Sequence, residues 1–88
     1  MEIKILGTGC AKCKKLEELT REVAEKNSIK ATIIKVEDIT EIMKYRVMST
    51  PALVVNENVE FRGGLPSGPE VLRILLKYEG TEKNETVI

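Results

Sequence analysis

Cys10 and Cys13, separated by two residues in Gly7-Thr8-Gly9-Cys10-Ala11-Lys12-Cys13, are the only cysteines in a chain of 88 residues that has no histidine. Two thiols at that spacing are suited to two kinds of chemistry. They can alternate between dithiol and disulfide, with one thiolate attacking a target and the other resolving the product. As thiolates they can also hold a soft ion such as Cu(I) or Zn. A closed zinc site needs four ligands. With no His and no third Cys, only a site shared between two chains reaches that number. The redox reading is therefore the first, and a soft-metal carrier is the alternative.

The elements that must position the pair can be read from hydropathy. Ile3, Ile5 and Leu6 form a short strand, with Lys4 expected to point to solvent from a sheet covered on one face. Gly7 and Gly9 are expected to let the chain turn sharply. From Ala11 to Lys26 the period is helical, with Cys13, Leu16, Leu19, Thr20 and Val23 on one side. Lys14–Glu18, Glu17–Arg21 and Glu22–Lys26 are spaced to pair on the outer faces. This stripe makes the cysteines unequal: Cys13 heads it and is expected to be buried, whereas Cys10 precedes it and is expected to face solvent. A free thiol has a pKa of about 8.5, which helix N-termini and nearby cations lower to roughly 3.5–7.5. Cys10, at the start of the helix and near Lys12, Lys14 and Lys15, is thus the expected nucleophile, with Cys13 resolving. Lys12 is a candidate modulator of the thiol, and equally an ordinary solvated helix residue.

Asn27 and Ser28 break the helix, and Ala31–Val36 reads as a second strand. Asp38 and Glu41 resemble a capping box before a short helix marked by Ile39, Ile42, Met43 and Val47, with Met43 expected in the core. Ser49-Thr50-Pro51 leads into the apolar strand Ala52–Val55. By position alone Pro51 reads as a trans proline opening a strand. Asn56-Glu57-Asn58 turns the chain into Val59–Arg62, and Gly63-Gly64 ends that strand. Ser67, Pro69 and Glu70 start a last helix with Val71, Leu72, Leu75, Leu76 and Tyr78 inward. Gly80 is expected to stop it, leaving a domain over 1–80 and a polar tail over 81–88.

Composition narrows the class. The chain is one small domain, with 14 basic and 14 acidic residues and a net charge of zero. That argues against a nucleic-acid partner, which needs a basic face. No apolar run approaches the ~20 residues that cross a bilayer. The N-terminus enters a strand directly, without a signal-peptide pattern. A cytoplasmic setting is expected, where thiols are kept reduced and a cysteine pair is redox-active or metal-binding. The excess of Glu over Asp and Lys over Arg, with no Gln, leans towards a heat-adapted source.

Three features carry a family resemblance: Cys10-Ala11-Lys12-Cys13 where the first strand meets a helix, Thr50-Pro51 before the third strand, and Gly63-Gly64 after the fourth. Over residues 1–79 the chain resembles the small thioredoxin/glutaredoxin-like redox-active disulfide proteins of the thioredoxin-fold superfamily. The resemblance implies an α/β fold in the order β-α-β-α-β-β-α, with a four-stranded mixed sheet flanked by helices. It implies a monomeric thiol–disulfide oxidoreductase that reduces protein disulfides with no cofactor beyond the Cys10–Cys13 pair. A thioredoxin-reductase-like donor would re-reduce it. It further implies that Pro51 is cis and opposite the cysteines, that the Thr50 backbone receives a substrate strand, and that Gly63 and Gly64 wall the same groove. Thioredoxins typically have Trp before the first Cys and Gly-Pro between the two; here Gly9 and Ala11-Lys12 stand there. Glutaredoxins hold glutathione partly through an Asp after the double glycine; here Leu65-Pro66-Ser67-Gly68 follows, and glutathione is a doubtful partner. The acid that thioredoxins tend to place beneath the dithiol has no counterpart in the first strand, which offers only Glu2 and Lys4. The rival loop resemblance, to heavy-metal-associated domains, is weakened by Thr8 where those domains usually have Met. Their element order also ends in a strand, whereas this chain ends in a helix.

Overall fold

The computed structural model describes residues 1–9 and 11–79, together with the extent of the last helix. The last helix continues through Gly80 to Val87, so Gly80 does not stop it as expected; glycine lowers helix propensity without forbidding the helix. The side chains of 80–88, which include the expected polar tail, lie outside the described residues, as does Cys10. The elements are β1 (Glu2–Leu6), α1 (Ala11–Lys26), β2 (Thr32–Val36), α2 (Ile39–Met43), β3 (Ala52–Val55), β4 (Asn58–Arg62) and α3 (Gly68–Val87). They follow the expected order. One four-stranded sheet runs β2-β1-β3-β4, with β1 parallel to β2 and antiparallel to β3, and β3 antiparallel to β4.

Strand alternation divides the core between two faces. Ile3, Ile5, Leu53 and Val55 point to one side, where they pack with Leu16 and Val23 of α1 and Val71 and Leu75 of α3. Leu6, Ala52 and Val54 point to the other, where they meet Ile42 and Val47. The central strand β3 is thus buried on both faces, which explains its unbroken apolar run. Truncating Leu53, fully buried at the centre of the larger cluster, to Ala is expected to cost about 2–5 kcal/mol. A urea unfolding curve reads this directly, as a lowered midpoint at unchanged slope.

Local chemistry sets the boundaries. Ser28, with φ 53, ends the turn after α1, and Ile29 N–H returns to the Ala24 carbonyl at 2.8 Å. The Asp38 carboxylate caps α2 by accepting from Thr40 N–H at 2.8 Å. Ser67 and Glu70 form the reciprocal box at the start of α3: Glu70 N–H donates to Ser67 Oγ at 3.3 Å, and Ser67 N–H to Glu70 Oε1 at 3.5 Å. On α1 two of the three expected ion pairs form, Arg21–Glu17 at 3.3 Å and Lys26–Glu22 at 2.7 Å.

Two core expectations and one helix boundary are corrected. Met43 is 66% exposed. α2 is so short that Ile42 alone covers the sheet, and Ile39 and Met43, four residues apart, share its outer side. Val47 lies beyond α2 yet is buried, because Arg46 at φ 58 turns the chain back onto the sheet. Leu76 is exposed, since the buried line of α3 runs through Val71, Ile74, Leu75 and Tyr78.

The β3–β4 hairpin is tighter than expected. Only Asn56 and Glu57 form the turn, both with positive φ (47 and 70), and Asn58 already pairs with Val55. A bulge opposite Leu53 and Val54 makes Glu60 the extra residue of β4. Its carboxylate accepts from Lys77 Nζ at 2.8 Å and from the Tyr78 hydroxyl. Burial, and then Glu60, push the Tyr78 phenol up to about 12.

Candidate active site

The β1–β2 ladder extends one residue past Leu6, where Gly7 N–H donates to the Val36 carbonyl at 2.9 Å. Gly7 does not make the sharp turn expected of it. Gly9, at φ +80, does that. Gly7 is needed for a different reason: a Cβ there would lie 2.2 Å from Cys13 Sγ and 3.2 Å from Cys13 Cβ. The sulfur is packed directly on the Gly7 backbone. The same point is 3.9 Å from Thr50 Cβ, so Cys13, Gly7 and Thr50 converge.

Cys13 is 6% exposed, at the head of the α1 stripe where the helical period places it. It is disulfide-bonded. The one other cysteine in the sequence is Cys10, outside the described residues. Lys12, Lys14 and Lys15 are exposed on the first turns of α1.

On the facing side, the Thr50–Pro51 peptide is cis. This agrees with the resemblance and corrects the positional reading of a trans proline. Pro51 is buried, whereas Thr50 is exposed. Gly63 N–H donates to the Pro51 carbonyl at 2.9 Å, bringing together two of the anticipated residues. Gly63 and Gly64 have φ of +72 and +92, a region that favours glycine. A Cβ at Gly63 would press on Ser49 Cβ at 3.2 Å, whereas Gly64 faces open space. Two exposed apolar side chains flank these walls in sequence: Met48, 96% exposed, and Leu65, 45% exposed.

Lys4 also departs from expectation. It does not simply point to solvent. Its Nζ donates to Glu57 Oε1 at 2.7 Å and to the Tyr45 hydroxyl at 2.8 Å. The Tyr45 hydroxyl in turn donates to Glu57 Oε2 at 3.1 Å. The Lys4 hydrogen bond, and then that of Tyr45, hold the Glu57 carboxyl below its ordinary value, and the same contacts raise Lys4. A depressed carboxyl adds stability above its unfolded pKa of about 4.3 and loses it as pH falls through the lower folded value. A Glu57→Gln variant should therefore lose stability less steeply than wild type as pH falls below about 4.3, read from urea midpoints at each pH.

Among the described residues no group of three or more His, Cys, Asp or Glu side chains could hold a metal, and no helix is long and apolar enough to cross a membrane.

A mixed sheet in the order β2-β1-β3-β4, with α1 and α3 on one face and α2 on the other, is a thioredoxin-like arrangement, and a cis proline that follows Thr50, which converges with Cys13 on Gly7, fits it. Comparison with known proteins agrees. The chain matches the thioredoxin domain family over residues 1–76. A thioredoxin of Methanocaldococcus jannaschii is 37% identical over 76 residues, covering 86% of this chain and 87% of that protein. A thioredoxin of Methanothermobacter thermautotrophicus is 33% identical over 75 residues, covering 85% of this chain and 97% of that protein. The chain belongs to the thioredoxin domain family, whose members are thiol–disulfide oxidoreductases.

Proposed function

We propose that the protein reduces disulfides in other proteins by cycling Cys10 and Cys13 between dithiol and disulfide. The observation that carries this reading is Cys13 itself: a buried, disulfide-bonded sulfur resting on Gly7 and close to Thr50. The Cys10 thiolate attacks one sulfur of the client disulfide. The S–S bond breaks, a mixed disulfide forms, and the client's other sulfur leaves as a thiolate and takes a proton. Cys13, deprotonated, then attacks Cys10 Sγ. The Cys10–Cys13 bond forms, the second client sulfur leaves, and two electrons have passed to the client. A reductase of the thioredoxin-reductase kind returns them.

The Thr50 backbone is the proposed seat for the client strand. Pro51, Gly63 and Gly64 shape the wall, and Met48 and Leu65 are apolar ground beside it. Lys12 is a proposed, secondary influence on Cys10, since exposed charges act weakly. The protein works as a monomer in the cytoplasm, with no cofactor beyond the disulfide.

The test is catalysed reduction of a protein disulfide with a dithiol as electron donor, together with a titration of the pair in redox buffers. The expected result is rate enhancement and a reversible two-electron couple closer to the thioredoxin value of about −270 mV than to the oxidant-like value of about −120 mV. A protein that neither accelerates the reaction nor shows a reversible couple would overturn the proposal. Tight Cu(I) binding by such an inactive protein would move the assignment to metal carriage.

A further inference from the structure

The first strand contains no acid suited to act on the cysteines, but the fold brings one in from the second. The parallel register pairs Leu6 with Val36, and Gly7 N–H still reaches the Val36 carbonyl at 2.9 Å. Glu37, the next residue, is therefore held beside the loop that precedes Cys10. Its Oε2 lies 3.3 Å from where a Cβ on Gly9 would stand. Gly9 is bonded directly to Cys10. The adjacent acid is occupied elsewhere: the Asp38 carboxylate caps α2 through Thr40 N–H at 2.8 Å. Glu37 has no hydrogen bond or ion pair to a described residue.

We infer that Glu37 is a positioning residue of the redox site whose negative charge, laid against Gly9, makes the Cys10–Cys13 couple more reducing. This inference rests on the redox reading above. A carboxylate near a thiol disfavours the thiolate. Disfavouring the thiolate weakens the dithiol form relative to the disulfide, and so makes the dithiol a stronger donor. The charges around this loop oppose one another. Lys12, Lys14 and Lys15 on α1 favour the thiolate; Glu37 at the end of β2 counters them. Asp38 adds a second negative charge directed to the N-terminus of α2, and Lys35 of β2 is engaged with Glu17 at 3.7 Å. Gly9 admits the carboxylate because it has no side chain of its own to occupy that space.

The experiment compares wild type, Glu37→Gln and Glu37→Asp as full chains. Two measurements are made on each: the equilibrium with a glutathione redox buffer, and the pH dependence of Cys10 alkylation by iodoacetamide. Glutamine keeps the shape and removes the charge. Glu37→Gln is expected to shift the equilibrium about two- to five-fold towards the dithiol, the range for an exposed charge pair, and to move the alkylation profile to lower pH. Both effects should shrink in high salt, which a purely structural role would not produce. Glu37→Asp should restore most of the wild-type behaviour. If wild type shows a reversible couple and Glu37→Gln has the same equilibrium and alkylation profile, the inference fails alone. If wild type shows no reversible Cys10–Cys13 couple, the redox reading itself fails, and the inference with it.

Discussion

A Cys10→Ser variant is expected to lose disulfide reduction altogether, whereas Cys13→Ser should accumulate mixed disulfides with its clients. The asymmetry follows from where the helix places Cys13. Cys13 is buried at the head of the α1 stripe, against Gly7, so a client disulfide does not reach it. It can act only on a sulfur already delivered beside it. Removing Cys10 removes the attacking group. Removing Cys13 leaves the first displacement intact and the second without a nucleophile. Mass spectrometry of protein incubated with a disulfide-bonded client distinguishes the two, as a client adduct on Cys13→Ser and none on Cys10→Ser. Retained reduction by Cys10→Ser would sink the assignment of roles. Unfolding curves on both variants show that the loss is chemical.

Gly7→Ala is the second large effect expected, at a position that looks innocuous in the sequence. The added methyl would sit 2.2 Å from Cys13 Sγ and 3.2 Å from its Cβ. A free thiol could rotate away at modest cost. A disulfide-bonded sulfur is held, so either the backbone of β1 or the start of α1 must move. Overpacking of this kind costs about 1–3 kcal/mol. The cost falls most heavily on the oxidised protein, whose sulfur is the less free. Gly7→Ala should thus lower the urea midpoint of the oxidised form more than that of the reduced form. By linkage its disulfide should also be reduced more readily than that of wild type. Equal destabilisation of both forms would show that the contact acts on the fold and has no bearing on the couple.

Much of this architecture can be read along the chain, because hydropathic period is a local property. The 3.6-residue stripe on α1 makes Cys13 the inner cysteine, and it is buried. The apolar run at 52–55 marks a strand covered on both faces. Ser67 and Glu70 announce the start of α3 through a reciprocal cap. The readings that fail depend on which layer covers what. Met43 looks like core until α2 proves a single short turn and a half with one inward side chain. Lys4 looks solvated until the hairpin turn delivers Glu57, and the residues after α2 deliver Tyr45, to the same face of β1.

The order of the elements and the burial of Cys13 can be read from the chain alone. Each is written in neighbouring residues, where spacing alone decides which side of a helix or strand a group occupies. Tertiary structure decided what surrounds the sulfur. Gly7 presses on Cys13 because β1 and α1 meet there, and Thr50 joins them because β3 runs antiparallel to β1. Glu37 reaches Gly9 because β2 lies parallel beside β1 in one particular register. These contacts join residues some 6 to 43 positions apart in the chain. Strand pairing and packing bring them together, and no local pattern encodes that.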